Sequence, residues 1–205
     1  MNRFDLLTRH ANEWHEATHH PFLDAVRDGT LAPQIFATWL VQDYLFVRDE
    51  LMAQALLLAR APRSAQHLLV QGLVGLESEL SWFEEHAQRR QLALEVERHP
   101  VTAAYHDFWQ SLSHKPYPVA ITATWAAEQA YLDAWTSLGT GVSSSYREYI
   151  EHWANADFEH FVSELGQMSD IALATGDHDQ EVEDAFLSVA HLEHDFWQMA
   201  WSGGR

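Results

Sequence analysis

The sequence predicts an all-α protein, on three observations. Apolar residues recur at steps of three and four over long stretches, which marks one face of a helix. Short breaks rich in Pro, Gly, Ser and Asp separate those stretches: Pro21, "DGT" (28–30), Pro62, "KPYP" (115–118), "GTGVSSS" (139–145) and "TGD" (175–177). No run alternates apolar and polar residues long enough to make a strand. The expected architecture is a single-domain helical bundle over residues 1–205, since that length suffices for one sizeable core and no linker, repeat or low-complexity tract divides it.

Helices are expected near 3–18, 22–28, 33–60, 63–91, 100–114, 118–138, 144–174 and 178–202. Pro33 and Pro62 suit first-turn positions, where a missing N–H costs nothing. The helix 33–60 is apolar nearly all round, as in helices that run through the middle of a bundle. "DHDQE" (177–181) places acids at a helix start, where the macrodipole favours them. "SGGR" (202–205) reads as a frayed, disordered tail.

Composition narrows the function. Twelve Lys and Arg against 30 Asp and Glu give a net charge of −18, and such a surface repels phosphate backbones and anionic lipid. No basic run exceeds Arg89-Arg90, so direct nucleic-acid binding is not expected. The chain has no Cys, which rules out disulfides, thiolate nucleophiles and cysteine-held metals. "NRFDLLTRHANEWHEA" after Met1 lacks the basic start and apolar run of a secretory signal, and no apolar stretch suits a membrane span. A cytoplasmic protein is the expectation.

Three carboxylates stand where apolar side chains belong. Ile121, Trp125, Glu128, Leu132 and Trp135 form one stripe, with Glu128 in its middle and Asp133 on another face. Phe186, Val189, Glu193, Trp197 and Ala200 form a second, while His191, His194 and Asp195 project elsewhere. Trp39, Asp43, Phe46, Glu50 and Leu57 form a third. One buried acid ordinarily bonds to a nearby Tyr, Trp or helix N-terminus. Three on separate helices point to a polar pocket in an aromatic core, on which Asp43, Glu128 and Glu193 are expected to converge. Of the aromatics, some of Trp39, Phe46, Tyr105, Trp125, Trp153 and Trp197 would line it.

Four segments resemble the TenA (thiaminase II-like) family, all-α proteins of the haem-oxygenase-like fold. They are "HPFLDAVRDGTLAPQIFATWLVQDYLFVRD" (20–49) with Gln42-Asp43-Tyr44, "VTAAYHDFW" (101–109), "HWANADFEHFV" (152–162) and "LEHDFWQMAW" (192–201). The resemblance covers nearly the whole chain. By motif it places the family's pyrimidine-binding aspartate on Asp43, a neighbouring pocket tyrosine on Phe46, further pocket tyrosines on Tyr105 and Trp153, and the catalytic glutamate on Glu193. The major branch has a nucleophilic cysteine near the start of the sixth helix. Here "ITATWAAE" (121–128) offers small residues and no thiol. The chain therefore resembles the cysteine-lacking branch, which carries a glutamate on this helix, and that glutamate is Glu128.

Members of that branch are similar to aminopyrimidine hydrolases of thiamin salvage. The implied substrate is a 4-amino-2-methylpyrimidine bearing an aminomethyl or formylaminomethyl group at position 5. Asp43 would accept from the exocyclic amine and a protonated ring nitrogen. Phe46, Tyr105 and Trp153 would hold the flat ring. Of Glu128 and Glu193, one would donate a proton to the leaving nitrogen and the other would activate water. Glu50, one turn beyond Phe46, is a further candidate for substrate contact. The resemblance implies no cofactor, no metal, a small-molecule partner, and a homo-oligomer, dimer or tetramer, with which surface-looking aromatics such as Trp14 and Trp201 are compatible.

Two alternatives stand beside this. Glu79, His86, Glu128, Asp157 and His160 offer carboxylate and imidazole ligands on three helices, the general recipe of a di-iron oxidase. However, the charged neighbours in "FEEHAQRR" make His86 read as surface. Glu16-x-x-His19, the only Glu-x-x-His match, sits at a helix end. The other alternative is a non-catalytic binding or regulatory protein that keeps the pocket without turnover.

Overall fold

Several helices start where the sequence supplies a reason. In the computed structural model, which describes residues 1–139, 145–174 and 176–204, ten α-helices account for the ordered elements and no strand occurs among the described residues. They are α1 (Arg3–Arg9), α2 (Ala11–Thr18), α3 (Pro21–Arg27), α4 (Pro33–Leu58), α5 (Arg63–Arg90), α6 (Pro100–Leu112), α7 (Tyr117–Thr136), α8 (Arg147–Trp153), α9 (Ala156–Leu173) and α10 (Asp179–Trp201). Pro21, Pro33 and Pro100 occupy first helical positions, and Pro62 stands one residue earlier, as the N-cap of α5. Asn2 caps α1 by accepting from the N–H groups of Phe4 and Asp5, and the Asp5 carboxylate accepts the Asn2 N–H in return.

Two expected helices are each divided. The stretch 3–18 turns at His10, whose backbone leaves helical geometry at φ −114°, ψ 37°. No Gly or Pro announces this. The cause is tertiary: Arg9 and His10 both reach Glu183 of α10 at 2.7 Å, while Arg3 pairs with Asp170 of α9. The stretch 144–174 is interrupted at Ala154, and Asn155 starts α9 by accepting from the N–H groups of Asp157 and Phe158. Such a cap contributes about 1 kcal/mol. The expected break at 139–145 falls largely outside the described residues, as do Thr175 and Arg205. At the C-terminus, Ser202, Gly203 and Gly204 are not frayed. Gly203 (φ 69°) turns the chain so that the N–H groups of Gly203 and Gly204 bond to the Ala200 and Met199 carbonyls, closing α10.

The chain forms two compact units. One comprises Met1–Leu31 and Pro116–Gln198, the other Ala32–Lys115 and Met199–Arg205. In the first, α7 is the central helix, buried nearly all round and packed on α9, α2 and α8. Its hydroxyl at Thr122 pairs with Ser169 of α9 at 2.8 Å, so two fully buried hydroxyls satisfy each other. In the second, α4 is the central helix, flanked by α5 and α6. Among the described residues no helix is long and apolar enough to cross a membrane.

Candidate functional site

The acids expected on apolar faces are buried, as their stripes imply. Asp43 is 2% exposed, Glu50 4%, Glu128 8% and Glu193 4%. Glu128 and Glu193 belong to the first unit, with Trp153. Asp43, Phe46, Glu50 and Tyr105 belong to the second.

In the first unit, rings pair between the two helices that carry Glu128 and Glu193. Trp125 of α7 stacks near Phe186 of α10, centroids 6.3 Å apart, and Trp14 of α2 stacks on both. Further along, Tyr131 of α7 stacks on Trp197 of α10 at 6.0 Å and 14°. The earlier ring of α7 meets the earlier ring of α10, and the later meets the later. The two helices therefore run in the same sense between these contacts. Glu128 lies between Trp125 and Tyr131, and Glu193 between Phe186 and Trp197, each on the face carrying its rings. Trp153 of α8 closes the aromatic wall, edge-on to Tyr131 at 5.2 Å and stacked on Trp135 at 4.8 Å. The indole N–H of Trp197 donates to the Ala17 carbonyl at 2.9 Å, which fixes α10 against the end of α2.

In the second unit, Asp43 and Phe46 follow each other on α4. Phe46 meets Tyr105 of α6 edge to face at 4.6 Å, and Trp109 stacks on Tyr105 at 5.7 Å. Glu50, one turn on from Phe46, accepts from the Gln54 amide at 3.3 Å, a local bond along the helix.

Two readings of the sequence change. Trp14 is not a surface ring: it is 8% exposed, stacked on Phe186, and donates its N–H to Asp133 at 2.9 Å. Asp133, on another face of α7 as expected, is held there by Trp14 and Gln129. His86 is buried at 1%, with its ring centroid 3.8 Å from that of Trp82, despite its charged neighbours. Even so, His160 is 76% exposed at its side chain and pairs with Glu164. Among the described residues no group of three or more His, Asp or Glu is arranged to hold a metal ion.

Tyr131 is the site neighbour that the sequence did not single out. Its position one turn beyond Glu128 was the available signal, but a tyrosine amid small residues on an apolar helix reads equally well as core. Asp49 was missed for a related reason. On a helix buried all round, no face stands out, and an acid beside Glu50 looks like part of a solvated run.

Burial also sets a pH response. His152 of α8 packs edge-on against Trp153, and loss of solvent pushes its imidazole down from 6.5 to about 4. Burial lowers His20 as well. The unfolded chain takes up a proton on His152 near pH 6.5 that the folded chain resists until about pH 4. The stability from keeping it neutral is therefore complete above pH 6.5 and lost as pH falls through that window. His152→Gln is expected to flatten the fall in Tm on acidification, with His20 keeping part of the slope. Tm measured across this range for both proteins checks this, and identical slopes would refute it.

Known proteins share the fold and the sequence over nearly the full chain. A Glycine max protein named "Probable bifunctional TENA-E protein" is 30% identical over 95% of this chain and 90% of its own length. An aminopyrimidine aminohydrolase from Halalkalibacterium halodurans is 25% identical over 92% of this chain and 90% of its own length. The crystal structure of a TenA homologue from Pyrococcus furiosus superposes with a TM-score of 0.91 at 27% identity, covering 98% of this chain and all of the other. The sequence pattern of the TENA/THI-4/PQQC family matches residues 7–203, and the chain belongs to that family.

Proposed function

We propose that this protein is a hydrolase of 5-aminomethyl-4-amino-2-methylpyrimidines, acting in thiamin salvage from the cytoplasm as a homo-oligomer without a metal or cofactor. The observation that carries the reading is the pair Glu128 and Glu193, both buried, on two helices whose ring contacts bracket them in the same direction. A chain without cysteine has no thiol nucleophile, and in this reading water is the attacking group. One glutamate deprotonates that water and the other protonates the departing nitrogen. For the aminomethyl substrate, water and the C–N bond give a hydroxymethylpyrimidine and ammonia. For the formylaminomethyl substrate, water adds to the formyl carbon, and the products are the aminomethylpyrimidine and formate. The name of the Halalkalibacterium relative, an aminopyrimidine aminohydrolase, supports the substrate class.

In this reading Asp43 binds the aminopyrimidine edge, and Phe46, Tyr105 and Trp153 hold the ring, with Glu50 beside them. A pocket carboxylate that accepts two N–H groups from a protonated ring binds by charge-assisted bonds, worth about 1.5–3 kcal/mol each. Asp43→Asn is expected to raise KM about tenfold or more and to lower kcat less, because the contact exists in ground and transition states alike. Steady-state kinetics that show a fall in kcat at unchanged KM would remove Asp43 from the binding role. The function itself is tested by incubating the purified protein with both pyrimidines and following ammonia, formate and the pyrimidine product by liquid chromatography. Saturable binding with no product would favour the non-catalytic alternative. Stoichiometric iron in untagged protein would favour the oxidase.

A further inference from the structure

We propose that Gln42 and Asp49 are positioning residues that set the register of α6 on α4 and so hold Tyr105 against Phe46. The proposal rests on the reading of Asp43, Phe46 and Tyr105 as the pyrimidine-binding set. Gln42, Phe46 and Asp49 follow one another at steps of four and three, so they share a face of α4. All three are buried.

The two polar residues grip the start of α6 from either side of Phe46. The Gln42 side chain is used at both ends. Its oxygen accepts the His99 N–H at 2.9 Å and the Thr102 hydroxyl at 2.7 Å, and its nitrogen donates to the Glu97 carbonyl at 3.2 Å. Asp49, 2% exposed, takes both prongs of Arg98 at 2.9 and 2.7 Å. The His106 Nδ1 lies 3.0 Å from the same carboxylate, though not aligned for a hydrogen bond. The hydrogen-bonded positions thus run from Glu97 to Thr102, and Tyr105 follows Thr102 by three residues on the same helix.

Apolar packing is non-directional and leaves the sliding of one helix along another weakly specified. Hydrogen bonds are directional, and buried ones cannot be exchanged for water without cost. A slip of one residue along α6, about 1.5 Å, pulls the Glu97 carbonyl, the His99 N–H and the Thr102 hydroxyl off Gln42. It also moves the Tyr105 ring off Phe46 and so loosens the hold of these rings on a flat substrate. The bidentate Asp49–Arg98 pair is suited to this task, because its planar fork fixes orientation as well as distance.

The test compares Asp49→Asn and Arg98→Gln with Arg60→Leu. Arg60 donates to the Leu112 and Lys115 carbonyls at the far end of α6, so its loss weakens the helix without touching the Tyr105 end. Two readouts are used: kinetics with 5-aminomethyl-4-amino-2-methylpyrimidine, and the near-ultraviolet circular dichroism of the folded proteins. Asp49→Asn and Arg98→Gln are expected to raise KM about tenfold with kcat nearly kept, because ring contacts are made in ground and transition states alike. They should also reduce the aromatic dichroism of the Phe46, Tyr105 and Trp109 cluster. Arg60→Leu is expected to lower Tm with neither change. Equal KM effects from Arg60→Leu, or none from Asp49→Asn and Arg98→Gln, overturn the proposal. If wild type neither binds nor turns over the pyrimidine, the functional reading fails, and the link to substrate with it. The dichroism then decides the positioning claim alone, with unchanged spectra in Asp49→Asn and Arg98→Gln refuting it. Should Asp49→Asn not fold, Arg98→Gln carries the test, since Arg98 is the partly exposed member of the pair.

Discussion

Replacing Glu193 by Gln is expected to leave the helices intact and to lower turnover by roughly 10²–10⁴-fold, the usual range for one general acid or base. Gln keeps the shape of Glu and most of its hydrogen-bonding capacity, so packing beside Trp197 survives. What it cannot do is exchange a proton with water or a leaving amine. Glu128→Gln is expected to fall in the same range, because no thiol elsewhere in the chain can take over the attack. The double variant should lose little more than either single one, since residues that act on one proton relay are strongly non-additive. Steady-state kinetics on the three variants, with far-ultraviolet circular dichroism to establish folding, measure this. If Glu128→Gln keeps full activity on every pyrimidine that wild type hydrolyses, Glu128 is a satisfied core carboxylate and the Glu/Glu mechanism is wrong.

Trp197→Ala is expected to cost about 3–5 kcal/mol of stability, the range for emptying a buried indole site. Trp197 is fully buried, touches Phe22, Tyr131 and Trp135 with its rings, and donates to the Ala17 carbonyl. Truncation removes that packing and also leaves the carbonyl without its indole donor. Trp197→Phe separates the two effects. It refills most of the space but restores no donor, so it should cost about 1–2 kcal/mol for the lost bond and incomplete filling. Urea unfolding of wild type and both variants gives the comparison. A loss under 1 kcal/mol for Trp197→Ala would mean that α2, α7 and α10 close over the gap, and the ring frame around Glu193 is not rigid.

The stripes of α7 and α10 were legible because each interrupts a helical period that is otherwise strictly apolar. An acid at the centre of such a stripe must be buried once the helix packs, whatever it packs against. Glu128 and Glu193 are buried for that reason. The helix starts near Pro21, Pro33, Pro62 and Pro100 were legible too, because Pro acts on the backbone within a turn of itself. Asn155 divides the expected helix 144–174 by a local cap, but at His10 and Trp14 the deciding group was distant in sequence. His10 ends α1 where Glu183 draws in both Arg9 and His10, a pairing 173 residues apart. Trp14 is buried because Asp133 and Phe186 come to it. His86 is inside although its neighbours are charged, since charge along a helix says nothing about the face a single side chain takes.

The sequence by itself determined the all-α class, the placement of most helix starts, the absence of thiol chemistry, and the set of acids that burial would have to accommodate. These follow from periodicity, local capping and composition, which act over a few residues or over none. Only the tertiary structure decided that Tyr131 of α7 stacks on Trp197 of α10, and that Gln42 and Asp49 of α4 bond to His99 and Arg98 at the start of α6. Those contacts join residues of different helices. Apolar burial drives the helices together without specifying their register, and directional bonds between distant side chains set it.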